Sequence, residues 1–243
     1  MSGIPGDYAE WPAPAALRGA VACLWGRDGA GAGEVLVLPD GCSDLIWEQG
    51  KGGYVAGPDT GPAPTQVGGA AVLAVRFRPA AGGAVLGVPL SELRDQRVEL
   101  PDLLPDAAHE LPYDLPVAEA ATRLLDIAGR LVADAEIDRA VQHAARLLRD
   151  PRTSAEQTAA ATGVSPRQLR RRFQAAVGYG PKTLQRVMRF RRFVTMVDAG
   201  DSTDLASLAA TAGYADQAHL TRECTELAGL TPAALVRVRG AGG

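Results

Sequence analysis

Gly163-Val164-Ser165-Pro166-Arg167-Gln168-Leu169-Arg170-Arg171-Arg172-Phe173 is the stretch from which the rest of the chain can be read. Its glycine reads as a helix stop, because Gly takes the left-handed conformation without steric cost. Ser165 with Gln168 three residues on fits a capping box, and Pro166 stands at the first helical position, where its missing N–H costs nothing. A helix therefore starts at 166. Just upstream, Ser154 and Gln157 fit a second capping box, opening a short helix that ends at Gly163. Helix, short glycine-containing turn and helix make a helix-turn-helix unit.

Working outward, Gly178 closes that second helix and Pro181 opens a longer one through about residue 198. Leu184, Val187, Met188, Val194 and Val197 are expected on its buried side. Two short helices flank Gly213, and Thr231-Pro232 starts the last. Leu169, Arg171, Phe173, Gly178 and Pro181 are matched 51 residues later by Leu220, Arg222, Cys224, Gly229 and Pro232, so the unit occurs twice. Upstream, Ile137, Ala140, Val141, Ala144 and Leu148 stripe another helix, which stops near Asp150-Pro151.

Charge separates this repeat from an ordinary helical solenoid. Residues 157–197 carry nine Lys+Arg and no Asp or Glu. Four of the nine, Arg167, Arg170, Arg171 and Arg172, lie on the helix after the turn, where a reading helix enters the major groove. Lys182, Arg186 and Arg189 share one face of the following helix. A merely solvated face normally mixes signs, so double-stranded DNA is the expected partner. Over the 243 residues the net charge is −3, but residues 1–133 carry 9 Lys+Arg against 17 Asp+Glu, and residues 134–243 carry 16 against 11. Two domains are expected, 1–133 and 134–243.

The helical part resembles the DNA-binding domain of the AraC/XylS family of bacterial transcription regulators. The stretch 163–173 with Gly178 and Pro181 is similar to its first helix-turn-helix. Ala209-Ala210-Thr211-Ala212-Gly213-Tyr214-Ala215-Asp216-Gln217-Ala218-His219-Leu220-Thr221-Arg222, with Gly229-Leu230-Thr231-Pro232, is similar to its second. Glu223 and Cys224 depart from the family's usual apolar or aromatic ending of the second reading helix. The resemblance implies units at about 154–178 and 204–227, joined by a long helix at 181–198 and reading successive major-groove segments. By position it makes Arg167, Arg170, Arg171, Gln217, Ala218, His219 and Arg222 the base-reading candidates. Arg can take guanine by two hydrogen bonds, Gln suits adenine, and Ala can touch only a thymine methyl. Arg171 and Arg222 could equally buttress the fold or grip phosphate. Arg172, Lys182, Arg186, Arg189 and Thr221 are placed as phosphate or structural contacts. RNA polymerase is a further partner that the resemblance implies.

The first half reads as strands and turns to about residue 115. Runs rich in β-branched or aromatic residues at 21–25, 34–38, 44–47 and 72–77 alternate with turn formers such as Pro39-Asp40-Gly41 and those at 50–53. A helix over 116–132 follows, with enough apolar positions to pair with its copy in a homodimer. The expected fold is thus an α+β N-terminal domain, a small antiparallel β-barrel or sheet plus a helix, followed by an all-α domain with two helix-turn-helix units joined by a long helix. Leu38-Pro39-Asp40-Gly41-Cys42-Ser43-Asp44-Leu45-Ile46-Trp47, Ala56-Gly57-Pro58-Asp59-Thr60 and Val75-Arg76-Phe77-Arg78-Pro79 are similar to segments of a sensor-type domain found ahead of AraC-type units. In the AraC family an N-terminal barrel commonly binds a small effector, so the resemblance implies one here. Trp25, Trp47 and Phe77 are either lining for its pocket or ordinary core.

Other function classes fit worse. A DNA-repair methyl acceptor of the Ada type needs four cysteines for zinc, whereas residues 1–133 hold only Cys23 and Cys42, with His109 as the sole histidine. GxSxG, P-loop and HExxH motifs are absent, so neither an enzyme nor a cofactor or metal site is expected. A non-specific architectural DNA protein conflicts with the acidic half and with two separate reading helices. The chain has neither a membrane-length apolar run nor a secretory start, and its three cysteines form no CxxC pair, so a cytoplasmic setting is expected.

Overall fold

The computed structural model describes residues 8–30, 33–200 and 204–240. Seven strands come first: β1 (Tyr8–Pro12), β2 (Val21–Arg27), β3 (Gly33–Val37), β4 (Ser43–Glu48), β5 (Gly52–Ala56), β6 (Ala63–Val67) and β7 (Val72–Phe77). Residues alternate across the pleat. Leu45 and Trp47 of β4 and Leu73, Val75 and Phe77 of β7 therefore point to one face, which carries the core. Ile46 and Ala74 point to the other, beside Trp25 and Tyr54.

The strands form a six-stranded sheet in the order β1-β2-β7-β4-β5-β8, with β8 at Arg97–Glu99, and a separate β3-β6 ribbon. Every neighbouring pair is antiparallel. The sheet keeps two edges, β1 and β8, so of the two architectures expected the molecule has the open sheet and not the closed barrel. Segment 82–110 also holds three short helices that the strand-rich reading passed over: α1 (Gly82–Leu86), α2 (Leu100–Leu103) and α3 (Pro105–Glu110). They form because Leu86, Leu90, Leu100 and Leu111 must all reach under the inner face of the sheet. α4 (Val117–Asp134) crosses that face with Ala120, Leu124, Ile127 and Ala128 buried. Val117, Ala121, Leu131 and Val132 pack on the same core, so among the large apolar side chains of α4 only Leu125 stays off it.

The helical half runs α5 (Arg139–Leu147), α6 (Ala155–Thr162), α7 (Pro166–Val177), α8 (Pro181–Asp198), α9 (Leu205–Ala212), α10 (Gln217–Ala228) and α11 (Pro232–Gly240). It has its own core, to which Phe173 of α7, Leu208 of α9, Leu220 of α10 and Leu235 of α11 all contribute. α8 runs through it. Its fully buried residues are Leu184, Val187, Phe190 and Phe193, whereas Met188 and Val194, expected on this face, are only half-buried. The stripe turns toward the two phenylalanines because α7 and α10 both lean on α8, and large aromatic rings fill the space between them.

A glycine-lined seam joins the halves. The Leu90 N–H donates to the Ala175 carbonyl at 2.8 Å, tying the sheet half to the end of α7. A Cβ on Gly83 of α1 would lie 2.4 Å from that same carbonyl oxygen. Farther along, Gln142 Nε2 donates to the Gly19 carbonyl at 3.0 Å, and Arg191 Nη1 of α8 meets Asp40 Oδ2 at 3.3 Å. Gly83→Ala should therefore lower stability by about 1–3 kcal/mol through overpacking. Gly129→Ala is the control, since nothing lies within 4 Å of a Cβ there; in the middle of α4 it should raise stability by up to about 1 kcal/mol. Denaturant melts of the two variants should move in opposite directions.

Candidate nucleic-acid interface

The first unit is shaped by local hydrogen bonds. Ser154 Oγ accepts from the Gln157 N–H at 3.1 Å, while Gln157 Oε1 accepts from the Ser154 N–H at 2.7 Å. Gly163 ends α6 at φ +68°. The box repeats at Ser165 and Gln168, at 3.3 and 3.1 Å, and starts α7. Leu169, Phe173 and Val177 bury one side of α7. The other side presents Arg167, Arg170, Arg171 and Gln174, spaced i, i+3, i+4 and i+7, all exposed. Gln174 was not among the residues expected there, although its spacing from Arg167 and Arg171 marks it.

Arg172 belongs elsewhere. Its Nε donates to Asp138 Oδ2 at 2.6 Å. Asp138 meanwhile caps α5 by accepting from the Ala140 and Val141 N–H groups at 3.0 and 3.2 Å. Arg172 thus ties α7 to the helix before its unit.

In the second unit Asp204 caps α9, Gly213 makes the turn at φ +98°, and Asp216 Oδ1 accepts from the His219 N–H at 2.6 Å to start α10. Leu220, Glu223, Cys224, Leu227 and Ala228 are buried. Gln217, Ala218, Arg222 and Thr225 are exposed, with Thr221 half-buried between them. Thr221 and Thr225 donate back to the carbonyls of Gln217 and Thr221 at 2.9 and 2.8 Å. His219, expected among the base readers, is turned into the helix start. Its Nδ1 takes the Ala215 N–H at 3.4 Å, and its Nε2 faces Glu223 Oε1 at 3.2 Å. The ring stands edge-on to Tyr214, with centroids 5.2 Å apart.

The basic face of α8 also divides. Lys182 is exposed. Arg189 donates to Glu223 through Nη2 at 2.8 Å and Nε at 3.2 Å, and its guanidinium lies 5.0 Å above the Tyr214 ring. Arg186 reaches Glu223 at 3.2 Å and also pairs with Glu226. Both are engaged within the chain, whereas among the described residues Arg167, Arg170 and Arg171 enter no ion pair. Glu223 is the residue that sequence reading missed. It registered only as a departure from the family pattern.

The three aromatic residues weighed as effector lining are not brought together. Trp47 and Phe77 are fully buried in the inner core, where Trp47 Nε1 donates to the Pro112 carbonyl at 2.9 Å. Trp25 lies on the opposite face, donating to Asp44 Oδ1 at 2.8 Å beneath Arg76. A cavity of about 310 Å³ opens instead at the seam, between Glu10, Cys23, Asp40 and Arg76 of the sheet half and Met188 and Arg191 of α8. Burial pushes the Cys23 thiol up to about 11, so it lines the cavity uncharged.

No helix among the described residues is long and apolar enough to cross a membrane. Residues 158–237 match a family model described as a helix-turn-helix domain, and residues 9–99 match one described as a domain of unknown function, DUF6597. No curated protein matches the chain. Among solved structures, ToxT from Vibrio cholerae is similar at 7% identity and a TM-score of 0.47, over 88% of this chain and 96% of that one. ToxT bound to (E)-4-(8-methylnaphthalen-1-yl)but-3-enoic acid is similar at 8% identity and a TM-score of 0.44, over 97% and 96%. The chain thus carries a helix-turn-helix domain over residues 158–237, built as two capped units on a shared helix, behind a DUF6597 domain over residues 9–99.

Proposed function

We propose that the chain recognises a specific double-stranded DNA sequence, reading bases with Arg167, Arg170 and Arg171 of α7 and with Gln217, Ala218 and Arg222 of α10. The observation that carries this is the division of the arginines. Arg172, Arg186, Arg189, Arg191 and Arg239 are neutralised by carboxylates of the same chain. The three on the outer face of α7 are left with uncommitted donors, which is the state a side chain needs to take the O6 and N7 of guanine. Lys182, exposed near the start of α8, is assigned to phosphate, which positions the protein without specifying sequence. The two cores support a division of the chain near residue 133, with Ala135 and Ile137 still packed on the first and Ala80 on the second.

The same reading assigns the seam cavity to a small-molecule effector. Its walls come from both halves, so an occupant would bear directly on α8 through Met188 and Arg191. Trp47 and Phe77 take no part. A dimer through α4 would draw on half-buried side chains, Leu125 being the large apolar one that does not pack on the core.

Arg170→Ala should weaken binding to the selected operator by about 1–3 kcal/mol and relax preference at one base pair. Equal losses on operator and on random duplex, measured by titration, would move Arg170 to the phosphate set. For the effector, a ligand present at about a hundred times its Kd stabilises a protein by about 2.7 kcal/mol. A metabolite that raises the melting temperature of the wild type should therefore fail to do so for Met188→Trp, which fills the cavity. If the shift persists in that variant, the ligand binds elsewhere.

A further inference from the structure

The 51-residue repeat puts Arg172 and Glu223 in the same place, immediately before Phe173 and Cys224. Each is held by the helix that precedes its own unit: Arg172 by Asp138 at the start of α5, Glu223 by Arg186 and Arg189 of α8. The two units therefore share a pin at the same position with the charges exchanged. The second pin is the more buried. Glu223 is only 7% exposed, and its carboxylate meets Arg189 at 2.8 Å and Arg186 and His219 at 3.2 Å. A carboxylate so placed cannot lose Arg186 and Arg189 cheaply, because an unpaired buried charge is far more costly than a paired one. Arg189 is also held from its far side by the Tyr214 ring.

This pin sits on α10 next to Arg222 and one turn beyond His219, between the helix and its support. Rotation of α10 about its own axis would break it. The bases are read from the same helix, and misplacement by an ångström is enough to lose a bidentate hydrogen bond.

We infer that Glu223 is the positioning residue of the second reading helix, fixing how α10 presents Gln217, Ala218 and Arg222 to DNA, with Arg186 and Arg189 as its counter-charges and not as phosphate contacts. The inference rests on the assignment of α10 as a reading helix.

The test is selection from a pool of random duplex DNA by the purified full chain. Wild type should enrich a two-part sequence. Glu223→Gln, which keeps the shape and removes the charge, should still enrich the first part while base preference in the second falls to background. Its affinity for the wild-type sequence should drop about 10- to 100-fold. A loss confined to one part is not what general unfolding produces. If Glu223→Gln enriches both parts as wild type does, or loses both while melting like wild type, the inference is overturned. Should that variant fail to fold, Arg186→Gln decides, because it leaves the Glu223–Arg189 pair in place. Its log affinity should depend on log salt concentration as the wild type's does; a slope smaller by about 0.9, the value of one phosphate contact, overturns the inference. Wild type enriching no two-part sequence would instead overturn the reading of the two units.

Discussion

Two aromatic rings on one helix hold the DNA-binding half together. Phe190 and Phe193 fill the space where α7 from the first unit and α10 and α11 from the second lean on α8, and neither ring is exposed to solvent. Neither unit has a comparable core of its own. Each is a pair of short helices around a glycine turn, and such a pair cannot bury its apolar face without a third surface. Because both units use the same surface, their relative placement is set by the length and stiffness of α8. Two units seated on one stiff helix keep a fixed spacing and orientation.

Around that core the arginines fall into two groups. Where a guanidinium has a carboxylate within reach it holds helices to one another, as Arg172, Arg189 and Arg239 do. Where the surrounding positions lack acid, as on the outer face of α7, it stays available to an outside partner. The positive charge of residues 134–243 is therefore concentrated on fewer groups than the composition implies. The sheet half docks behind this arrangement. Its contacts include the end of α7 at Ala175, Gln142 of α5 and Arg191 of α8, away from Arg167, Arg170 and Arg171.

How much could be read from the sequence follows the range of the interactions involved. Caps and turns act over three or four residues, and Ser154, Ser165, Gly163 and Gly213 all do in the structure what their chemistry implies. The strand at Gly52–Ala56 was hidden, because Gly52 and Gly53 read as a turn. At Gly53 a Cβ would lie 2.7 Å from Leu100 Cδ2, a neighbour 47 residues away, so a larger residue there would displace that side chain. Sheet against barrel was likewise undecidable from strand patterns, since closure depends on which edges meet. In the site, the exposed face of α7 was legible from helical spacing. The ion pairs of Arg186 and Arg172 were not, because the partners lie 37 and 34 residues away. His219 occupied a reading position in the pattern and a capping position in the molecule.

The exchanged charges at positions 172 and 223 also bear on how a duplicated chain avoids confusing its copies. Two similar helix pairs in one polypeptide, or in two neighbouring polypeptides, invite domain swapping, in which one copy docks in the seat of the other. Here α7 in the seat of α10 would bring Arg172 against Arg186 and Arg189, and α10 in the seat of α7 would bring Glu223 against Asp138. Both mismatches set like charges at contact distance, and the repulsion is stronger in the more buried seat of Arg189. The exchanged charges thus favour each unit docking on the helix that precedes it.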